Sequence, residues 1–369
     1  MRFLVITLAP TLLENSAYYS YAPYVKEMNL WFSHVDQVTI ISPTSYEKKL
    51  LKAPFDRKDI DVISIPAISF GTITAIFKSI IAIPIIVFRL FKAMQQADHI
   101  HLRCPATIAL IASVVQLFFP SKKKTVKYAG NWSPKAKQPI SYKLQKWIVG
   151  NEFLTRNMQV LVYGNWPNQS KNIKSFFTAT YRDDDVPTIK TPIFENPITI
   201  LFVGSLSPGK RPLYVLEWAK ACLDQDLDIH LDIYGEGQER ELLEKYLTSH
   251  KLHTKVILHG NQPTEVVQQA YKNAHFLILP SKSEGWPKVI AEAMFWGVIP
   301  LVTPISCVPW MVGEGTRGVL LDMDVSKDVS AFAKALKDKK QLEKMAVNGQ
   351  QWSHQYTLDT FENSIKELL

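Results

Sequence analysis

The chain has 369 residues, 47% of them hydrophobic and 21% charged, and a formal net charge of +8. This length and balance exclude a disordered regulator and a small disulfide-stapled module, and they leave room for two domains with ample cores. The three cysteines, Cys104, Cys222 and Cys307, have no metal-ligand spacing, so neither a metal nor a disulfide framework is expected and a reducing, cytoplasmic compartment is the simpler home.

Met1 to Pro10 (MRFLVITLAP) is too short and too quickly interrupted for a signal peptide, and reads as a first buried strand from Phe3. Apolar runs follow at Val38–Ile41, Ile60–Ile65, His99–Leu102, Thr125–Tyr128 and Gln159–Tyr163, alternating with longer segments at helical spacing. Two apolar stretches approach membrane length. Ser79–Phe88 is uncharged but holds Pro84, and Cys104–Pro120 is uncharged between Arg103 and Lys122. A spanning helix needs about 20 residues. The second stretch lies between two expected strands and reads as a buried helix; for the first, shallow insertion of residues 72–94 into a membrane stays open. Thr178–Pro197, with Asp183, Asp184, Asp185 and three prolines, suits a linker. Strand and helix alternate again after it. Such alternation predicts an α/β protein of two doubly wound, Rossmann-like domains facing across a cleft, with residues 1–195 and 196–350 as the domains and 351–369 as a tail.

Charge divides the chain at the same place. Residues 1–195 hold 24 Lys and Arg against 13 Asp and Glu, and residues 196–369 hold 18 against 21. Between His99 and Asn151 there is no acidic residue, and Arg103, Lys122, Lys123, Lys124, Lys127, Lys135, Lys137, Lys143 and Lys146 are interleaved with Trp132, Tyr142 and Trp147. Basic residues beside amphipathic rings favour an anionic membrane surface, with a solvated basic face as the plainer alternative. A nucleic-acid track along Lys122 to Lys146 is a third reading, and salt-dependent binding would expose it.

The segment from Ser283 to Pro300 (SEGWPKVIAEAMFWGVIP) places two carboxylates around a helix start. Phe276–Leu279 reads as a buried strand, Pro280 and Ser281 end it, Pro287 suits the first helical position, and Gly297 suits the stop. Free N–H groups at that start make a phosphate site, with Glu284 beside it and Glu292 further in. A nucleotide sugar fits a phosphate centre flanked by hydroxyl-binding acids. The alternative is an ordinary βα junction with two solvent-facing glutamates.

Glu284 and Glu292 stand at the E-x7-E spacing of the retaining glycosyltransferases of family 4, and SEGWPKVIAEAMFWGVIPLVT resembles that family's signature. Ile200–Lys210 (ILFVGSLSPGK) resembles the opening of the family's donor domain, Asp232–Gly237 (DIYGEG) its next strand and turn, and Val256–Gly260 (VILHG) the strand after. The resemblance implies the GT-B fold, a C-terminal helix over 351–369 returning to the N-terminal domain, and no cofactor beyond the nucleotide-sugar co-substrate. It implies that Lys210, assisted by Arg211, faces the diphosphate. Glu284 would hold sugar hydroxyls and Glu292 the ribose, while Gly285 and Trp286 lend N–H groups and Gly204 permits close approach. Pro287 and Lys288 complete the donor set. Departures from the family pattern are informative. Ser205 stands where most members have arginine, leaving that contact to Arg211 or Lys288, and Glu14, Asn15 and Ser16 replace the usual glycine pair of the first loop. No histidine follows Thr125–Tyr128, so Asn131 is the candidate hydrogen-bonding substitute. His101 has a family-like position, with a satisfied core histidine as the plainer reading.

These features together lead to an expectation of sugar transfer with retained configuration from a nucleotide sugar to a glycan or lipid-linked acceptor, in bacterial surface polysaccharide synthesis at the inner membrane face. Asn15, His101, Arg103, Lys122, Lys123, Lys124 and Trp132 are the acceptor- or membrane-facing candidates, and no nucleic acid partner is expected. Hydrolysis or phosphorolysis of a glycosyl bond on the same fold stays open.

Overall fold

The computed structural model describes residues 1–46, 50–66, 68 and 73–369, those of 73–78 by backbone alone. Residue 72 and the side chains of 73–78, part of the stretch considered for membrane insertion, lie outside the described residues. The chain forms two compact units, Met1–Phe177 with Phe361–Leu369, and Thr178–Thr360.

In the first unit the elements run β1 (Arg2–Ile6), β2 (Leu12–Glu14), β3 (Ala17–Tyr21), α1 (Ala22–Phe32), β4 (Gln37–Ser42), β5 (Lys52–Pro54), β6 (Ile60–Ser64), α2 (Ile73–Gln96), β7 (His99–Cys104), α3 (Thr107–Val115), β8 (Lys123–Tyr128), α4 (Ile140–Val149), β9 (Met158–Tyr163) and β10 (Ile173–Phe176). Among the described residues a parallel sheet has the order β10-β9-β8-β7-β1-β4-β6, with β2, β3 and β5 in a small antiparallel sheet. The chain steps outward from β1 through β4 to β6, then α2 carries it back to β7 on the other side of β1. Right-handed crossovers therefore put α2, α3 and α4 on one face and α1 on the other. Burial agrees: Ala82, Ile86, Leu90 and Met94 of α2, Ile108 and Ala112 of α3, and Val149 of α4 share one core with Leu4, Val126 and Val160. Ser79–Gln96 is long and apolar enough to cross a membrane, yet one face of it is built into this core.

The second unit repeats the winding. Its elements are β11 (Ile198–Val203), α5 (Pro212–Leu223), β12 (Ile229–Tyr234), α6 (Arg240–Ser249), β13 (Val256–Gly260), α7 (Thr264–Asn273), β14 (Phe276–Leu279), α8 (Lys288–Phe295), β15 (Ile299–Val302), α9 (Val308–Met311), β16 (Val319–Leu320), α10 (Val325–Lys337) and α11 (Lys339–Ser353), and α12 (Leu358–Leu368) is divided between the units at Phe361. The parallel order β13-β12-β11-β14-β15-β16 reverses between β11 and β14. Ligands of open parallel sheets sit outside the carboxyl ends of the strands at such a reversal.

The unit boundary falls after Phe177 and not after residue 195. The polar stretch read as a linker is pinned to the second unit by apolar anchors its composition hides. Tyr181 packs on Phe295 and Trp296 at 4.6 and 5.5 Å, Phe194 on Phe276 at 5.7 Å, and the Asp183 N–H donates to Asp359 at 2.8 Å. The tail also divides differently from 351–369. Trp352 belongs to an aromatic cluster of the second unit, while Phe361, within α12, meets Phe176 and Phe177 of the first at 5.3 and 5.7 Å.

Candidate functional site

The loops that follow β11 and β14, on either side of the strand-order reversal, carry the donor-site candidates. The first loop is shaped by a close nesting of turns. The Gly204 N–H donates to Tyr234 O at 2.9 Å, the Leu206 N–H to Glu236 O at 2.9 Å, and the Gly235 N–H to Gly260 O at 2.8 Å. Gly235 has φ +141°, and a Cβ there would lie 1.9 Å from the Gly204 carbonyl oxygen. Only glycine lets the β11 and β12 turns approach this closely. Lys210 and Arg211 follow at the start of α5, with Arg211 left-handed at φ 54°.

The second loop lies against the first. The Lys282 N–H donates to Gly209 O at 2.8 Å, the Arg211 guanidinium to Pro280 O at 3.3 Å, and the Lys210 ammonium pairs with the Glu284 carboxylate. The structure thus brings Lys210 and Glu284, residues far apart in sequence, into one ion pair. The Glu284 side chain keeps 10% of its surface and that of Lys210 26%, so the pair is shielded but reachable.

The helix after this loop starts one residue later than expected. Pro287 is the N-cap, with φ −74° and ψ 91°, and α8 begins at Lys288. No side chain caps this end, which carries the positive end of the helix dipole. Gly297 ends the helix as expected, at φ +82°, with its N–H bonded to Met294 O at 3.0 Å and that of Val298 to Ala293 O at 2.9 Å. This is the paired bonding of a Schellman motif. Ile290, Ala293, Met294 and Phe295 are buried, and Ile290, Met294 and Phe295 each contribute about 1.5–3 kcal/mol on leaving water.

Trp286 is buried against Trp352 and Tyr356, at 6.1 and 5.6 Å, so its ring anchors the loop and its backbone borders the site. Cys307 holds the adjacent Gly285 carbonyl with an S–H bond of 3.0 Å, its thiol pushed up to about 12 by burial and so kept protonated. Ser205 is exposed and bonds Ser207 at 3.2 Å between hydroxyls, and Lys288 reaches Ala179 O at 3.3 Å. Glu292 does not touch Glu284. Its carboxylate accepts from Thr180 at 2.5 Å and from Tyr271 at 3.3 Å. Burial, then the Glu292 charge, hold the Tyr271 phenol well above its ordinary pKa, so it stays a donor. Thr180, Tyr271 and Cys307 were not among the sequence candidates, because a lone hydroxyl or thiol carries no motif. Among the described residues no group of three His, Cys, Asp or Glu side chains is placed to hold a metal.

Several of the first-unit candidates need correction. His101 is fully buried, its ring tilted 45° against Trp31 at 4.6 Å with Nδ1 2.8 Å from Thr125 Oγ1, and burial first, then Arg103, hold it neutral. It is a core residue. Arg103 is committed to Glu27 and lies over the Tyr24 ring at 5.3 Å. Lys122 donates to Ala97 O at 2.7 Å and Gln95 O at 3.2 Å beside the end of α2, and Lys124 is buried with its ammonium 2.6 Å from Phe119 O. Trp132 is buried on Tyr128 at 4.8 Å and donates to Gln169 at 2.9 Å. Lys127 donates to Phe177 O at 2.8 Å and Lys146 to Trp132 O at 2.8 Å. Four lysines of the presumed track, Lys122, Lys124, Lys127 and Lys146, are therefore tied to backbone carbonyls, and the run presents no continuous phosphate track. Lys123 is exposed. Asn131 accepts from the Ser133 N–H at 2.9 Å in the loop after β8, and Asn15, at φ 48°, with Ser16, at φ 62°, forms the two-residue turn between β2 and β3.

Comparison with known proteins agrees with this geometry. The family model described as "Glycosyl transferases group 1" matches residues 187–352. An Escherichia coli protein named UDP-Gal:alpha-D-GlcNAc-diphosphoundecaprenol alpha-1,3-galactosyltransferase is 26% identical over 60% of this chain and 58% of its own. The lipopolysaccharide 1,6-galactosyltransferase of Salmonella typhimurium is 32% identical over 39% of this chain and 41% of its own. The chain thus spans about half the length of the curated relatives it matches. Among solved structures, Anabaena HepE in complex with UDP superposes with a TM-score of 0.70 at 13% identity, covering 100% of this chain and 99% of that one. The outer core galactosyltransferase WaaB gives 0.70 at 16% identity with the same coverage. Two doubly wound units, matched over the whole chain, give the GT-B fold.

Proposed function

We propose that this chain is a glycosyltransferase that moves a hexosyl group from a nucleotide sugar to a hydroxyl of a glycan or lipid-linked glycan, with retention, in surface polysaccharide synthesis. One observation carries the reading: the Lys210–Glu284 pair beside the uncapped start of α8, at the strand-order reversal of the second sheet. The UDP bound to HepE and the lipid-linked substrates in the names of relatives support the donor and acceptor classes.

In this reading the acceptor oxygen attacks the anomeric carbon, the bond from that carbon to the diphosphate breaks, and the acceptor proton passes to the departing phosphate oxygen on the same face. No enzymic base is required. Charge develops on the diphosphate, and Lys210, Arg211 and the first N–H groups of α8 oppose it with dipoles already in place. Glu284, released from Lys210 as phosphate takes its place, holds sugar hydroxyls. Glu292, oriented by Thr180 and Tyr271, accepts from the ribose hydroxyls with its remaining carboxylate lone pairs. A panel of nucleotide sugars tests the reading by thermal stabilisation, since a ligand at a hundred times its Kd adds about 2.7 kcal/mol. The stabilising donor is expected to support transfer in the wild type and none in Glu284→Ala. Full turnover in that variant, or release of free sugar without acceptor, contradicts it.

A further inference from the structure

The layer of α2, α3 and α4 that covers one face of the first sheet has a second apolar face, directed outward. Ile81 is 69% exposed, Phe88 68%, Phe118, just beyond α3, 70% and Trp147 61%, with Ile85 and Leu144 also exposed between them. On α4 the exposed Ile140, Lys143, Leu144 and Trp147 recur at three- and four-residue steps, so they form one stripe. The helices form one surface. α2 packs on α3 and α3 on α4, and Phe91 of α2 meets Phe118 and Phe119 at 6.1 and 4.9 Å. Exposed apolar area on this scale marks an interaction site.

Charge chooses the occupant. No Asp or Glu occurs in residues 62–97 or 99–151, which contain all three helices, whereas α1 on the opposite face carries Glu27. Lys92 and Lys143 lie exposed on the acid-free layer. A second copy of the chain applied to this face would set these cations against their equals with no acid to pair. An anionic bilayer satisfies both features: rings and branched side chains enter the acyl boundary while Lys stems reach headgroup phosphates.

We propose that the outer face of α2, α3 and α4 is a monotopic docking surface for anionic phospholipid, with α2 lying along the bilayer and not through it. This deepens the lipid-linked acceptor reading of the proposed function, but vesicle binding needs neither donor nor acceptor, so either can fail alone. The test is co-sedimentation of the full chain with phosphatidylcholine vesicles, with or without about one third phosphatidylglycerol, since each basic residue at an anionic surface changes partitioning about fivefold. The wild type is expected to pellet with the anionic vesicles and to be released by salt. Phe88→Ser with Trp147→Ser, and separately Lys92→Glu with Lys143→Glu, should lower binding about tenfold or more while keeping wild-type thermal stability and nucleotide-sugar stabilisation. No binding by the wild type, undiminished binding by both variants, or a wild-type dimer that Phe88→Ser with Trp147→Ser dissociates would overturn the proposal.

Discussion

Replacing Lys210 by methionine separates the two roles of its pair with Glu284. In the free protein the ammonium neutralises a carboxylate that keeps only 10% of its surface. Removing it abolishes a charge-assisted hydrogen bond worth about 1.5–3 kcal/mol and strands the carboxylate. Because the lysine itself is 26% exposed and water enters from that side, a loss near the lower end, about 1.5–2 kcal/mol, is expected in urea unfolding. Adding Glu284→Gln removes the stranded charge, so the double variant should regain most of that stability. Transfer should behave oppositely. A missing donor at the developing phosphate charge costs about 10²–10³ in kcat, and Glu284→Gln cannot restore it. Urea midpoints and initial rates measured on the two single variants and the double give both couplings. Wild-type kcat/KM within about threefold in Lys210→Met, or a stability loss that Glu284→Gln leaves untouched, would refute the reasoning.

Other consequences are as direct. Gly235→Ala places a methyl 1.9 Å from the Gly204 oxygen at φ +141° and should lower stability by about 3 kcal/mol or more, read as a fall in Tm, while Gly209→Ala, with nothing nearer than 3.9 Å, should stay within about 0.5 kcal/mol. Tyr271→Phe removes one donor to Glu292 and should raise donor KM about fivefold with kcat nearly unchanged, consistent with a bond of about 1 kcal/mol. Lys124 has its pKa pushed down to about 8 by burial, so between about pH 8 and 10.4 the unfolded chain binds more protons than the folded one. Wild-type stability relative to Lys124→Met should therefore rise with pH through that window, by roughly 2 kcal/mol, and a flat difference from paired unfolding curves would contradict it.

Much of this architecture is visible in the residues. Strands buried on both faces must be continuously apolar, which is why Phe3, Val38, Ile60, Ile100, Val126 and Val160 all mark strands of the first sheet. The donor loops were legible because glycines, a proline and two glutamates at fixed spacing answer local backbone demands. The small sheet of β2, β3 and β5 was not, its strands being three to five residues long with mixed polarity. Orientation was the main loss. Lys123 is exposed and Lys124 buried, adjacent on one strand, because Lys123 is its first residue while the five after it are covered on both faces, and composition does not say where that cover begins. The same ambiguity put buried Trp132 beside exposed Trp147 as membrane anchors, since composition does not say which ring faces out.

The claim at the centre is that Lys210 and the start of α8 grip a diphosphate. Calorimetric titration of UDP and GDP into the wild type, Lys210→Met and Glu284→Ala addresses it without chemistry or acceptor. One of the two nucleotides should bind the wild type, bind Lys210→Met at least about tenfold more weakly, and bind Glu284→Ala nearly as well as the wild type, because that acid serves the sugar. Equal affinity for wild type and Lys210→Met, or no binding of either nucleotide to the wild type, would contradict the account.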